Sequence, residues 1–202
     1  MAEELSPLEG FSIGDTVQIS DPITQEEFGA FQVDFRIVSV RTYADTQKGL
    51  KYLCYVLAGD EEDEFFMLVV KETGCFYDIM LYYLDNDGHI NEPKNSIAPD
   101  YSMILDPDHS DFADVILIAN DEGEQIREIQ WNRKEDSHMD MTYYDEKGVN
   151  KVSVCEYFTD DENYGNDSAL ISCKGDFVTG HLEMWYGYLL QNHEVELVKK
   201  GA

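Results

Sequence analysis

Residues 57–70 read LAGDEEDEFFMLVV, and five consecutive carboxylates stand between two apolar runs. The runs, KYLCYVLAG and FFMLVVKE, are unbroken and of strand length, which predicts central strands covered on both faces. Asp60, Glu61, Glu62, Asp63 and Glu64 then occupy either a hydrated hairpin tip or an acidic knob that faces a partner. A calcium loop fits poorly. It needs oxygens converging at about 2.3–2.6 Å around a chain turned by an internal glycine. Here Gly59 precedes the acids, and alternate side chains of an extended chain diverge.

Other segments repeat the strand signal. FQVDFRIVSV alternates, with Val33, Phe35 and Ile37 on one face and Asp34 and Arg36 on the other. FSIGDTVQIS sets Ile13, Val17 and Ile19 around a Gly14–Asp15 turn. In QIREIQW, Arg127, Ile129 and Trp131 oppose Glu128 and Gln130. VSVCEYF lines Val152, Val154 and Phe158 along one side. HLEMWYGYLL alternates Leu182, Met184, Tyr186 and Tyr188 with Glu183, Trp185 and Gly187.

Three stretches share a turn grammar: YYLDNDGHI, LIANDEGEQI and TYYDEKGVNKV. Each passes from an apolar strand through acidic or amide residues to a glycine (Gly88, Gly123, Gly148) and into another strand. Asn, Asp and Gly tolerate the backbone of tight turns, so these read as hairpin tips. Gln191, Asn192 and His193 read as a further hairpin before the last strand. Asp21, with Pro22 behind it and Gly29 as a stop, predicts a short helix. Residues 106–115 predict a second short helix capped by Asp106, or a loop, and residues 159–169 a polar loop. NEPKNSIAP, residues 91–99, is the best linker. The expectation is a mainly β chain of antiparallel hairpins or meanders with one or two short helices. It forms β-rich units at 10–92 and 100–200, or one merged domain.

Charge narrows the functional classes. The chain has 42 acids against 14 Lys and Arg, a net charge of −28. Residues 1–100 hold 20 acids and 6 bases, and residues 101–202 hold 22 and 8, so each half carries −14. The charge therefore covers the whole body rather than a tail. Such a field repels nucleic acid and anionic lipid, and phosphate binding needs Lys and Arg. Solubility alone is the simplest account of it. A partner, if there is one, is basic. Residues 95–126 contain eight acids and no Lys or Arg, among them Asp106, Asp108 and Asp111. A second base-free window, 152–173, includes Asp160, Asp161 and Glu162. DNA advances about 3.4 Å per phosphate along each strand. Same-face strand residues repeat at about 6.6 Å. Acids at alternate strand positions, such as Glu194 and Glu196, would then match every second phosphate.

Catalytic and metal signatures are weak. No nucleophile elbow, phosphate-binding glycine loop, dinucleotide fingerprint or HExxH occurs. DPDHSD sets His109 among Asp106, Asp108 and Asp111, with no second histidine at short spacing. DNDGHI fails as an EF-hand, with Tyr83 and Lys94 where the first and last acids belong. Cys54, Cys75, Cys155 and Cys173 form no CxxC pair and read as reduced core thiols. No apolar run approaches membrane-spanning length, and the N-terminus lacks the features of a signal peptide. Dense aromatic runs, FYDIMLYY and MWYGYLL, suit a sheet core or an interface.

The sequence thus predicts a cytoplasmic, non-enzymatic acidic protein with no cofactor or metal. It would engage a basic protein through Asp60–Glu64, Asp106, Asp108, Asp111, Asp160, Asp161 and Glu162, as an inhibitor, an immunity protein or a nucleic-acid mimic. The alternative is an enzyme or small-ligand pocket in the C-terminal half, with His109 or His181 near acids.

Overall fold

Apolar strands with few polar positions need partners on both edges and cover on both faces, and antiparallel ladders supply the first requirement. The computed structural model describes residues 10–21, 29–45, 47–58, 65–73, 76–89, 111–120, 123–134, 139–145, 148–160, 167–174 and 181–198. These include strands β1 (Thr16–Ile19), β2 (Val33–Asp45), β3 (Leu50–Ala58), β4 (Phe65–Thr73), β5 (Phe76–His89) and β6 (Asp111–Asn120). Then come β7 (Gly123–Arg133), β8 (Met139–Asp145), β9 (Gly148–Phe158), β10 (Asp167–Lys174) and β11 (His181–Leu190). A 3-10 turn, Asn192–Glu194, leads into β12 (Val195–Val198). The protein is mainly β, and its paired strands run antiparallel.

The chain divides into two compact units. One comprises Met1–Tyr83, Thr142–Val149 and Leu189–Ala202; the other comprises Leu84–Met141 and Asn150–Tyr188. The division falls inside β5, and the proposed linker at 91–99 lies outside the described residues.

In the first unit the strand order is β12-β1-β2-β3-β4-β5. β2 carries a register shift between Ile37 and Ser39. Such an irregularity bends a strand and increases its twist. Its first half pairs with β1 (Val17↔Phe35), and its last residues pair with β8 (Tyr43↔Tyr143). β3 and β4 are buried on both faces, as their unbroken apolar runs predicted. Cys54, Val56, Met67 and Val69 fill one face, and Tyr55, Leu57, Leu68 and Val70 the other. Phe35 and Phe66 meet with ring centroids 5.1 Å apart. The second unit has the order β11-β10-β9-β7-β6. There the Trp131 indole stacks on Tyr186 at 5.1 Å, and Val154, Leu170 and Met184 are fully buried.

The turns test the sequence grammar closely. β6 and β7 close a two-residue connection, Asn120↔Gly123, as expected. Gly148 begins β9 with φ of 129°, a backbone that suits glycine. The Gly14–Asp15 turn also forms, with Gly14 at φ 93° and Asp15 N–H donating to the Ser12 carbonyl at 3.0 Å.

Other expectations fail. Asp85–Gly88 is no hairpin tip, because β5 runs through it to His89. Turn preference within a strand is worth only about 1 kcal/mol, which pairing and packing override. Gln191–His193 does not fold β12 back on β11; β12 pairs with β1, Ile19 opposite Val195. A 3-10 turn at Asn192–Glu194 stands between the extended Gln191 and Val195 and carries the chain on to β1. Ser20 N–H donates to the Glu194 carbonyl at 2.8 Å and extends the β1–β12 ladder. The helix expected over 106–115 gives way to strand from Asp111 onward. The helix expected behind Asp21 falls on 22–28, outside the described residues. Ile13 and Phe158, grouped in the sequence with apolar neighbours, are 44% and 41% exposed, while Val17, Ile19, Val152 and Val154 are buried.

One hairpin escaped the sequence reading. Asp45 Oδ1 accepts from Gln47 N–H at 2.9 Å and Lys48 N–H at 3.1 Å, and Gly49 turns the chain at φ 67°. A Cβ added at Gly49 would meet nothing within 4 Å. Its cost is therefore backbone strain alone, and Gly49→Ala should lower unfolding free energy by about 1–2 kcal/mol in urea denaturation.

Candidate partner-binding surface

The carboxylates sort into those used internally and those left to solvent. Asp15 Oδ2 accepts from Ser12 N–H at 2.9 Å, and Asp45 closes the hairpin above. Glu72 pairs with Lys51, and Glu156, only 4% exposed, pairs with Lys134, each at 3.6 Å. The Trp185 indole N–H donates to Glu183 at 3.2 Å. Glu194 Oε2 accepts from Gln191 N–H at 2.6 Å. Glu194 is thus a capping group on the 3-10 turn rather than the strand neighbour of Glu196, which corrects the alternate-position match to phosphates.

Exposed carboxylates remain at Asp34, Asp78, Asp160 and Glu196. Register explains a row of them on the first unit. Gln18 of β1 lies opposite Asp34 of β2 on one side and Glu196 of β12 on the other. Gln18 Nε2 donates to Asp34 Oδ1 at 2.8 Å and holds that carboxylate in place. The same end of this unit carries the β3–β4 connection, because Arg36 pairs with Ala58 and Ala58 with Phe65. Asp60, Glu61, Glu62, Asp63 and Glu64 belong to that connection, outside the described residues.

In the second unit, Asp111 opens β6 opposite Asn132. The Asn132 side chain donates to Asp160 Oδ2 at 3.4 Å. Two of the predicted site residues therefore adjoin one asparagine. Asp106, Asp108, Asp161 and Glu162 lie outside the described residues, as does His109.

Two cations turn inward to aromatic rings. The Lys71 ammonium sits 5.6 Å from the Tyr52 ring centroid and 5.8 Å from that of Tyr82, and the residue is 7% exposed. Desolvated cation–π contacts are worth about 2 kcal/mol. The Arg133 guanidinium lies 5.6 Å from the Tyr157 ring centroid, and Nη2 donates to the Tyr157 hydroxyl at 3.2 Å. Cys54 and Cys155 are buried thiols outside any disulfide, as read from the sequence.

A cleft of about 330 Å³ opens in the first unit. Asp78 and Ile79 of β5 line it together with Leu189–His193 from the end of β11 and the 3-10 turn. His181, at the start of β11, does not line it. Comparison with known protein families, curated proteins and solved structures gives no match.

The row Glu196–Gln18–Asp34 joins β12 to β1, a pairing between the two ends of the chain that local sequence cannot reveal. The alternation of VDF and VEL marks both acids as outward-facing, but only register makes them neighbours. Substitutions should separate the two carboxylate classes. Glu194→Ala removes a cap and should cost about 1 kcal/mol, whereas Asp34→Asn and Glu196→Gln should stay within about 0.5 kcal/mol, as read by chemical denaturation.

Proposed function

We propose that this chain is a non-enzymatic, cytoplasmic binding protein that engages a basic protein through exposed carboxylates. The observation that carries the reading is the exposed row of Asp34 and Glu196 across Gln18, on a chain of net charge −28. The two acids stand two strand spacings apart, about 9.6 Å. Three phosphate steps of DNA span about 10 Å, so the row supports an inhibitor or immunity protein that takes the place of nucleic acid on its partner. Asp60–Glu64, Asp106, Asp108, Asp111, Asp160, Asp161 and Glu162 are further candidate contacts for the basic partner in this reading.

Electrostatic steering predicts the behaviour. Charge complementarity raises association rates and is screened over about 10 Å at 0.1 M salt. Affinity capture from the native host should retain a basic protein at about 0.05 M salt and release it near 0.5 M, where the screening length falls below about 5 Å. With the purified pair, the Asp34→Asn/Glu196→Gln double variant should slow association about threefold or more and leave dissociation less changed. Capture of only neutral or acidic proteins, or binding indifferent to salt, would remove the reading.

A further inference from the structure

The cleft of the first unit allows the recognition chemistry to be made specific, on the footing of the reading above. We propose that it receives one lysine or arginine side chain from the basic partner. Its lining is mostly polar, but Leu189, 45% exposed, offers an apolar surface at its side, backed by the buried Ile79 and Leu190. An exposed carboxylate, Asp78, lines the cleft together with the exposed Gln191, Asn192 and His193. Lysine and arginine lay their methylene stems on apolar surface and keep the charged head among polar groups, which is the division this cleft offers.

Size and charge narrow the choice. A volume of about 330 Å³ sits near the lower end of the range of about 300–1,000 Å³ for ligand sites, enough for one side chain. Among the described residues no lysine or arginine lines the cleft, so an anionic guest would meet Asp78 without a compensating cation from them. The register neighbour of Asp78, Lys71, has its ammonium over the Tyr52 and Tyr82 rings. Among the described residues, no group of three metal-ligating side chains forms. Buried arginine anchors are also frequent hot spots at protein interfaces.

The test uses the intact chain and three probes: acetyl-arginine amide, acetyl-lysine amide and the neutral acetyl-glutamine amide. Backbone amide shifts at residues 78–79 and 189–193 should move saturably with the cationic probes and not with the neutral one. Asp78→Asn should weaken that binding about tenfold. Leu189→Lys, which sets an ammonium at the mouth, should abolish it. Asp34→Asn, outside the cleft, should leave it unchanged. Equal binding of the glutamine probe, or shifts spread over all acidic positions and indifferent to Asp78→Asn, would overturn the proposal. The two readings fail separately. If the captured basic partner binds Asp78→Asn with undiminished affinity, the cleft assignment is lost and the acidic-surface reading stands. If the cationic probes bind here but no basic partner is retained at low salt, the cleft stands and the wider reading is lost.

Discussion

Burial of both faces of β3 and β4 is the constraint that arranges everything else in the first unit. Cys54 and Val69 on one face and Leu57 and Leu68 on the other are fully buried. Each such side chain contributes about 1.5–3 kcal/mol on removal from water. A run of this kind leaves no position for a carboxylate between Leu50 and Ala58 or between Phe65 and Val70, and Glu72 stands only near the end of β4. The acids are displaced to connections, outer strands and strand ends, which is why a chain so rich in Asp and Glu still builds a core. The five-acid connection between β3 and β4 is the most extreme result of that sorting.

The few cations follow the same logic in reverse. Lys71 interrupts an apolar strand and is accommodated because Tyr52 and Tyr82 place their ring faces toward its ammonium. Arg133 finds the ring and hydroxyl of Tyr157 in the other unit. Tyrosine is suited to both tasks, since its ring packs as a hydrophobe while its face attracts a cation. Positive charge withdrawn in this way does little to offset the anionic exterior. Carboxylates that close turns, such as Asp45 and Glu194, are likewise consumed by backbone N–H groups. What remains outside is a smaller set than composition suggests.

Legibility in the sequence followed the range of the interaction responsible. Strand positions in β1 to β4 were readable because alternation and apolar runs are local signals, and the β6–β7 tip was readable because Asn120, Asp121 and Gly123 cluster between two strand-like runs. The Asp45 hairpin was equally local, with an acid and a glycine bracketing its loop, and was overlooked. Asp85–Gly88 misled because turn residues state a preference that a 14-residue strand outweighs. The β12–β1 pairing and the cleft were beyond reach for a different reason. Each joins the last residues of the chain to early strands, and nothing in the intervening sequence encodes that encounter. The candidate site lies in that non-local part, so residue types pointed to acidity and only register pointed to Asp34, Asp78 and Glu196.

Salt acts on such a protein in two opposed ways, and the distinction bears on how an acidic surface is interpreted. Like charges at net −28 repel one another in the compact state. Screening relieves that repulsion, so added salt favours the folded chain. The same screening weakens attraction to a basic partner. A partner that neutralises the exposed row relieves the repulsion directly, and because it binds only the folded form it also stabilises it. Carboxylates present for solubility alone would respond to salt in the first sense and gain nothing from a polycation of defined shape. Carboxylates positioned for recognition respond in both, and the side-chain bond from Gln18 to Asp34 favours that case. Fixing the geometry of an exposed carboxylate does nothing for solubility, but it lowers the ordering cost of binding a cation there.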